Sequence, residues 1–296
     1  MAGTDSALRF DLQSHSTYSD GELDPSAVVE RAATAGVELL ALTDHDTVEG
    51  VSAALASGAQ HGVRVVPAVE ISSVDDGRPA PCELHILGYG IDHAAPPVQA
   101  RLAEFLEDRK NRTLRMADAL RAEGFTLDEE TIAERVEQGR SIGRLHLAEG
   151  ALSRPENSAR LREEGIADVG DFIRAYLIEG RSAFRMRATP SIGEAVEMIH
   201  DAGGVAVWAH PFWDLTDPSD VTDTIDRFHA LGMDGVEAFY ISHTREQTDM
   251  IAQHCAGLDM LTTGSADFHG PENSIFSRFM AFETFGHTPN LGPIAA

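Results

Sequence analysis

Residues 37–70 read VELLALTDHDTVEGVSAALASGAQHGVRVVPAVE. An apolar run, VELLAL, ends in a polar tip that carries Asp44 and His45. A helical stretch follows from Thr47 and closes at Gly62, and a second apolar run, VRVVPAV, ends in Glu70. Short aliphatic and β-branched runs bounded by polar residues read as strands. Two such strands joined by a helix predict a parallel pair with a crossover connection. Both would then deliver metal- or proton-binding side chains to the same edge of a sheet.

The same unit recurs on either side. ALRFDL, residues 7–12, reads as a strand, and the helix after it has Asp24 as cap, Pro25 in the first helical position and Gly36 at its end. CELHILGYG, residues 82–90, is a fourth strand. From about His93 the rhythm changes to helices of dense charge, beginning near Ala95, Thr126, Arg144 and Asp168. Three helix–strand units then resume, with strands in residues 203–210, 234–240 and 258–269. The expected class is α/β, a parallel sheet or barrel of seven strands. The expected units are a discontinuous barrel over 8–92 and 189–285, a helical insertion or lid over 93–188, and a tail over 286–296 that adds little structure.

Composition narrows the function. The formal charge is −25, yet residues 93–188 hold 15 of the arginines, Lys110 and 17 acids and are nearly neutral. An acidic surface argues against duplex nucleic acid, which is held through Lys and Arg on phosphates. It does not exclude a small phosphate substrate where cations and local arginines set the field. No apolar run reaches the roughly 18 residues of a membrane span, and the first ten residues lack the basic and apolar parts of a signal peptide. Cys82 and Cys255 form no CxxC pair, so neither a disulfide framework nor a zinc ribbon is expected, and the cytoplasm is the default compartment.

Ligands of α/β folds bind at the carboxyl ends of strands. Those ends carry Gln13 and His15, with Asp20 in the following loop, then Asp44 and His45, Glu70, His210, and finally Asp267 and His269. His85 lies within the fourth strand and His243 beyond the sixth. Singly, an Asp-His pair reads as a solvated loop, and a histidine between Leu84 and Ile86 as a buried core residue. Jointly, imidazoles and carboxylates on nearly every unit suit Mn²⁺, Zn²⁺ or Fe²⁺. Eight or nine such groups exceed the needs of one ion and imply two or three, as in hydrolytic metal clusters.

The ordered motifs DLQSHS (11–16), SDG (19–21), LTDHDT (42–47), AVEIS (68–72), LHILGY (84–89), AGGVAVWAHP (202–211) and GSADFHG (264–270) resemble the PHP (polymerase and histidinol phosphatase) superfamily. SIGRLHLAEGAL (141–152) is similar to the insertion of its small-phosphoesterase branch. The resemblance implies a distorted (β/α) barrel and hydrolysis of phosphate esters by a water that bound cations ready for attack. It implies one ion among Gln13, His15, Glu70 and Asp267, a second shared by Glu70 with His85 and His210, and a third among Asp20, His45 and His269. Asp20, His45, His269 and Glu70 would be the catalytic set. Gln13 departs from the family's histidine: an amide is the weaker ligand, so the first ion would exchange easily or be met through a water.

For substrate recognition the reading selects Arg144, His146 and His243, with Phe212 or Trp213 as a surface on which a base could stack. The branch implies a small phosphorylated substrate, a nucleoside 3′,5′-bisphosphate above all, with short 5′-phosphorylated oligonucleotides also accepted. Two alternatives stand beside it, a histidinol-phosphate-type phosphatase and a metal-holding module without turnover.

Overall fold

The computed structural model describes residues 8–78, 81–187 and 190–296. Seven strands form one sheet in the order of the chain: β1 (Phe10–Asp11), β2 (Leu39–Leu42), β3 (Arg64–Asp75), β4 (Cys82–Tyr89), β5 (Val205–Trp208), β6 (Gly235–Tyr240) and β7 (Leu261–Ser265). A bridge between Ser14 and Phe268 and a hydrogen bond from Leu12 N–H to the Gly264 carbonyl bring the last strand back to the first. The sheet is thus nearly closed into a barrel. Helices α1 (Pro25–Ala35) and α2 (Val51–His61) cover the first strands. Asp24 caps α1 by accepting from Ser26 and Ala27, and Gly36 ends it at φ 81°.

The expectation of parallel strands throughout needs one correction. β4 runs antiparallel to both β3 and β5, while every other pair is parallel. Only a short connection separates β3 from β4, and without a crossover segment a strand can only return antiparallel. Its first half, not its end, therefore lies at the barrel mouth, and Ser72 of β3 pairs with His85.

Alternation along the strands sorts the core. Leu39 and Ala41, Val66 and Ala68, Leu87 and Tyr89, and Val207 and Ala209 pack in one buried cluster inside the barrel. Leu40, Leu42 and Val65 face outward against α1 and α2. With a period of two, the inward face of β3 continues through Glu70 and that of β4 through His85. The tail after Phe285 does more than the sequence suggested. Leu291 and Ile294 are buried in the interior cluster and close the end of the barrel opposite the strand tips.

The insertion has its own apolar centre. Helix α3 (Pro96–Ala122) buries Val98, Leu102 and Phe105 against the barrel and Met116, Ala117 and Leu120 in a second cluster. That cluster is completed by α4 (Glu129–Glu137), α5 (Arg144–Leu152), α6 (Ser158–Glu163) and α7 (Val169–Phe172) with the π-helical turn Ile173–Leu177. One stretch read as a single helix, residues 168–180, is instead this short pair. The proposed junction between Ala188 and Thr189 lies outside the described residues. After it, α8 (Ile192–Asp201), α9 (Pro211–Asp214), α10 (Pro218–Ala230) and α11 (Arg245–Gly257) alternate with β5 to β7.

A buried ion cluster joins insertion to barrel. Asp46, one residue past His45, accepts from Arg187 Nη1 at 2.7 Å and from Arg109 Nη1 at 3.2 Å. Its other oxygen accepts the Ser72 N–H at 3.0 Å. Burial opposes the Asp46 charge, but the two guanidiniums outweigh it and hold the carboxyl below its ordinary range. Removing one partner of such a cluster leaves uncompensated buried charge. Asp46→Ala is expected to lower the unfolding free energy by about 3–5 kcal/mol in urea denaturation. Loss of the exposed Arg101–Glu104 pair by Arg101→Ala should cost less than about 1 kcal/mol.

Candidate metal centre

Glu70 is the meeting point. Its Oε1 lies 2.6 Å from His85 Nδ1 and 3.4 Å from His210 Nε2. Its Oε2 lies 3.0 Å from His15 Nε2, 3.0 Å from Gln13 Nε2 and 3.5 Å from His45 Nδ1. His15 Nε2 is also 3.1 Å from Asp267 Oδ1. Asp20 faces the other side, with Oδ1 3.5 Å from both His15 Nδ1 and His269 Nε2 and Oδ2 3.4 Å from His45 Nε2. All nine candidate ligands read from the sequence therefore gather at the mouth of the barrel.

Local backbone makes this convergence possible. His210 and Asp267 take positive φ, 31° and 54°, as does Asp46 at 57°. Non-glycine residues there are strained, and such strain concentrates at functional sites. The loop carrying His15 and Asp20 is folded around Asp44, which accepts from Ser16 N–H, Ser16 Oγ and Ser19 Oγ at 2.6–2.7 Å. A side chain at Gly21 would sit 2.2 Å from the His15 carbonyl oxygen, so only glycine lets the loop return so closely.

The donor set fits divalent cations. His15 Nε2, His45 Nδ1, His85 Nδ1, Asp20 Oδ1 and Asp267 Oδ1 are buried close to one another or to Glu70 yet make no aligned hydrogen bond, a costly arrangement unless something else satisfies them. Three groups have ligand atoms within 4.8 Å of one another: Glu70, His85 and His210; His15, His45 and Glu70; and His15, Asp20 and His269. The first coincides with a set carried over from the motifs, whereas His15 stands between the other two. Several imidazoles are also held from behind, as metal-bound histidines are. His269 Nδ1 contacts the Asp267 carbonyl at 2.7 Å, His210 Nδ1 lies 3.5 Å from Asp214 Oδ2, and His15 Nδ1 lies 3.3 Å from Ser19 Oγ.

Electrostatics agree. Burial disfavours the charge on Glu70, yet His45, His85, His15 and His210 outweigh it and hold the carboxyl well below its usual range. Burial likewise opposes a charged His15, but Asp267 and Glu70 raise its pKa well above that of free imidazole.

The cleft above this cluster has a volume of about 610 Å³ and is walled by Asp20, His45 and His85 on the barrel side and Arg109, Arg112 and Arg144 on the insertion side. Arg112 is taken up by Glu83 at 2.5 Å and Arg109 by Asp46 and Ser72. Arg144 has no hydrogen bond or ion pair among the described residues. His146 is buried, does not line the cleft, and accepts the Gly143 N–H at 3.2 Å, capping α5. Burial, then the charge of Arg135, pushes its pKa down to about 3. His243 is also buried, with Nδ1 3.1 Å from the Ala238 carbonyl, and its ring packs on Tyr240. Tyr240, missed in the sequence, donates to Asp267 Oδ2 at 2.9 Å.

Taken together, a barrel whose mouth gathers imidazoles and carboxylates fit to hold divalent cations has the make-up of a metal-dependent hydrolase. The PHP domain profile matches residues 11–130. The chain is 33% identical to the 5′-3′ exoribonuclease of Haemophilus influenzae, over 89% of this chain and 90% of that one. It is 32% identical to the 3′,5′-nucleoside bisphosphate phosphatase of Chromobacterium violaceum, over 96% and 93%. It is 31% identical to the phosphoribosyl 1,2-cyclic phosphate 1,2-diphosphodiesterase of Eggerthella lenta, over 95% and 97%. An amidohydrolase structure from Chromobacterium violaceum, with bound sulfate and no metal, superposes at a TM-score of 0.73 with 31% identity, over 97% and 93% of the two chains. The chain belongs to the PHP family and is a metal-dependent phosphoesterase. No helix among the described residues is long and apolar enough to cross a membrane.

Beneath the cluster, Glu237 is buried inside the barrel and accepts the His210 N–H at 2.9 Å. Burial raises its pKa from 4.5 to about 8. The folded state therefore holds a proton that the unfolded chain releases, and stability of the metal-free protein should fall as pH rises from about 4.5 to about 8. Glu237→Gln is expected to remove that part of the slope, as read by urea midpoints across the same range.

Proposed function

We propose that this phosphoesterase removes a phosphate from small bisphosphorylated nucleotides of the nucleoside 3′,5′-bisphosphate type. The observation that carries the reading is the half-buried Arg144, free of any protein partner among the described residues and facing the cation cluster across the cleft. One phosphate would sit at the cluster and a second on the Arg144 guanidinium, whose planar fork suits it. The three relatives above, named for an oligoribonucleotide end, a nucleoside bisphosphate and a ribosyl cyclic phosphate, support phosphate carried on ribose as the common element.

Trp213 supports the nucleoside half. Its side chain is 49% exposed on the cleft wall and continues through Phe276, at 5.5 Å between rings, to His269 at 5.3 Å. Phe212 instead packs against the barrel core. Of the two aromatic residues read from the sequence, Trp213 is thus the one we assign to stacking on a base. We assign no substrate contact to His146 or His243, which lie behind the cleft wall.

In this reading His15, His45, Glu70, His85, His210, Asp20, Asp267 and His269 hold the cations. Bound Mn²⁺, Zn²⁺ or Fe²⁺ would supply Lewis acidity, making water a nucleophile near neutral pH and neutralising phosphoryl charge. The chain's own work is to orient. Glu70 and its imidazoles set the floor of the cleft, Arg144 fixes the far phosphate, and the closed barrel keeps bulk water from beneath. We assign Asp20 and His45, 3.4 Å apart on the cleft wall, to stabilising the leaving oxygen.

Phosphate release should be fastest from adenosine 3′,5′-bisphosphate in a panel that includes a 5′-phosphorylated trinucleotide, histidinol phosphate and p-nitrophenyl phosphate. Faster turnover of histidinol phosphate would reverse the assignment. Arg144→Ala is expected to raise KM for the bisphosphate about 10- to 100-fold, the loss of one charge-assisted contact, while changing KM for p-nitrophenyl phosphate little. Asp267→Ala and exhaustive chelation should each abolish turnover, and full activity in either would refute the cation cluster as the catalytic centre.

A further inference from the structure

The departure at position 13 has a structural counterpart. Gln13 is fully buried, between Glu70 and Ser265. Its Nε2 donates to Glu70 Oε2 at 3.0 Å, and its Oε1 accepts from Ser265 Oγ at 3.3 Å. An ionised carboxylate can only accept hydrogen bonds, so the amide must turn its NH₂ group toward Glu70. The amide nitrogen is a donor without a free lone pair for a cation. The amide oxygen, the only atom of Gln13 that could ligate, already accepts the Ser265 hydroxyl from β7. Both ends of the side chain thus have protein partners, beside a His15 Nε2 and Asp267 Oδ1 that lie 3.1 Å apart.

Resting on the reading of His15, Glu70 and Asp267 as ligands of one ion, we propose that Gln13 is not a metal ligand but a positioning residue. It pins one oxygen of the Glu70 carboxylate and leaves that ion with three protein groups. Two consequences follow from the chemistry. First, Glu70 touches His85 and His210 through Oε1 while Gln13 holds Oε2, so the carboxylate plane is set even before any cation arrives. Second, exchange of imidazole for amide removes a strong neutral donor from one site and leaves the Glu70–His85–His210 site untouched. The protein should therefore bind its cations with unequal strength, one of them exchanging with free metal while the others stay.

The test uses full-length protein, Mn²⁺ alone as the probe, and a competing chelating dye to count ions and rank their affinities. The wild type should hold one Mn²⁺ at least about ten-fold more weakly than the rest. Gln13→His should tighten that ion by about ten-fold or more. Gln13→Leu should keep the number of tightly held ions while kcat falls about 10- to 100-fold with KM little changed, as expected of a lost partner behind a ligand. Anomalous diffraction from Mn²⁺-loaded crystals gives a readout free of activity: Gln13 Nε2 should remain on Glu70. A Gln13 Oε1 within about 2.3 Å of an ion, a normal ligand distance, would overturn the proposal. So would equal affinities in the wild type with one tight ion lost in Gln13→Leu. Glu70→Gln separates the two levels. If it leaves every affinity unchanged, the ligand reading itself falls and this inference with it; if it weakens binding, the Gln13 results judge Gln13 alone.

Discussion

One buried carboxylate organises this protein. Glu70 is 1% exposed and lies within 3.5 Å of four imidazoles and an amide drawn from four other parts of the chain. A lone carboxylate in such a place would be neutralised by taking a proton. Here the surrounding imidazoles keep it charged, and the orphaned nitrogens and oxygens around it mark where cations complete the set. The barrel is arranged to make this affordable. The six parallel strands end, and the antiparallel β4 begins, around a single opening, and the polar groups cluster there while the interior below is sealed by aliphatic layers and the Leu291–Ile294 plug.

Much of this could be read from residues alone, because the barrel's periodicities are local. Aliphatic runs, glycine stops and caps mark the helix–strand units, and strand ends carry the chemistry whatever the loops do. The direction of β4 was not readable in the same way. A strand's orientation depends on how its connection travels, and the missing crossover before Cys82 was the available sign. Its reversal explains why His85 sits within a strand and not at its end, yet still reaches Glu70. The plug was misjudged for a related reason: Leu291 and Ile294 are isolated apolar residues among Gly and Pro, and only closure of the barrel gives them a hollow to fill. Tyr240 and Asp214 act on the ligands from behind, and such partners have no spacing of their own in the sequence.

The arginine-rich insertion, expected as a lid, walls one side of the cleft. Its geometry divides the arginines by task. Arg109 and Arg187 are spent on Asp46, Arg112 on Glu83, and Arg135 donates to the carbonyl oxygens of Ser19 and Ser141. Each of these contacts ends within a few residues of a candidate ligand: Asp46 follows His45, Ser19 precedes Asp20, and Glu83 lies two before His85. The insertion is therefore bolted to the loops that carry the site, and its motion would be felt there. Charge counting along the chain cannot separate structural arginines from substrate-binding ones, since that depends on which acids lie opposite in space.

That division also bears on specificity. A wall in which most guanidiniums are already neutralised presents little general attraction for polyanions, in keeping with the strongly acidic remainder of the chain. What remains on that wall is Arg144, which has no protein partner among the described residues. On the proposed function, affinity would depend on a substrate with two anionic groups and a flat apolar part for Trp213, and a long nucleic acid would gain nothing further from the surface beyond. Discrimination of this kind comes from the partners withheld as much as from the one offered. The same buried ion pairs that hold the lid in place strip the cleft of competing cations.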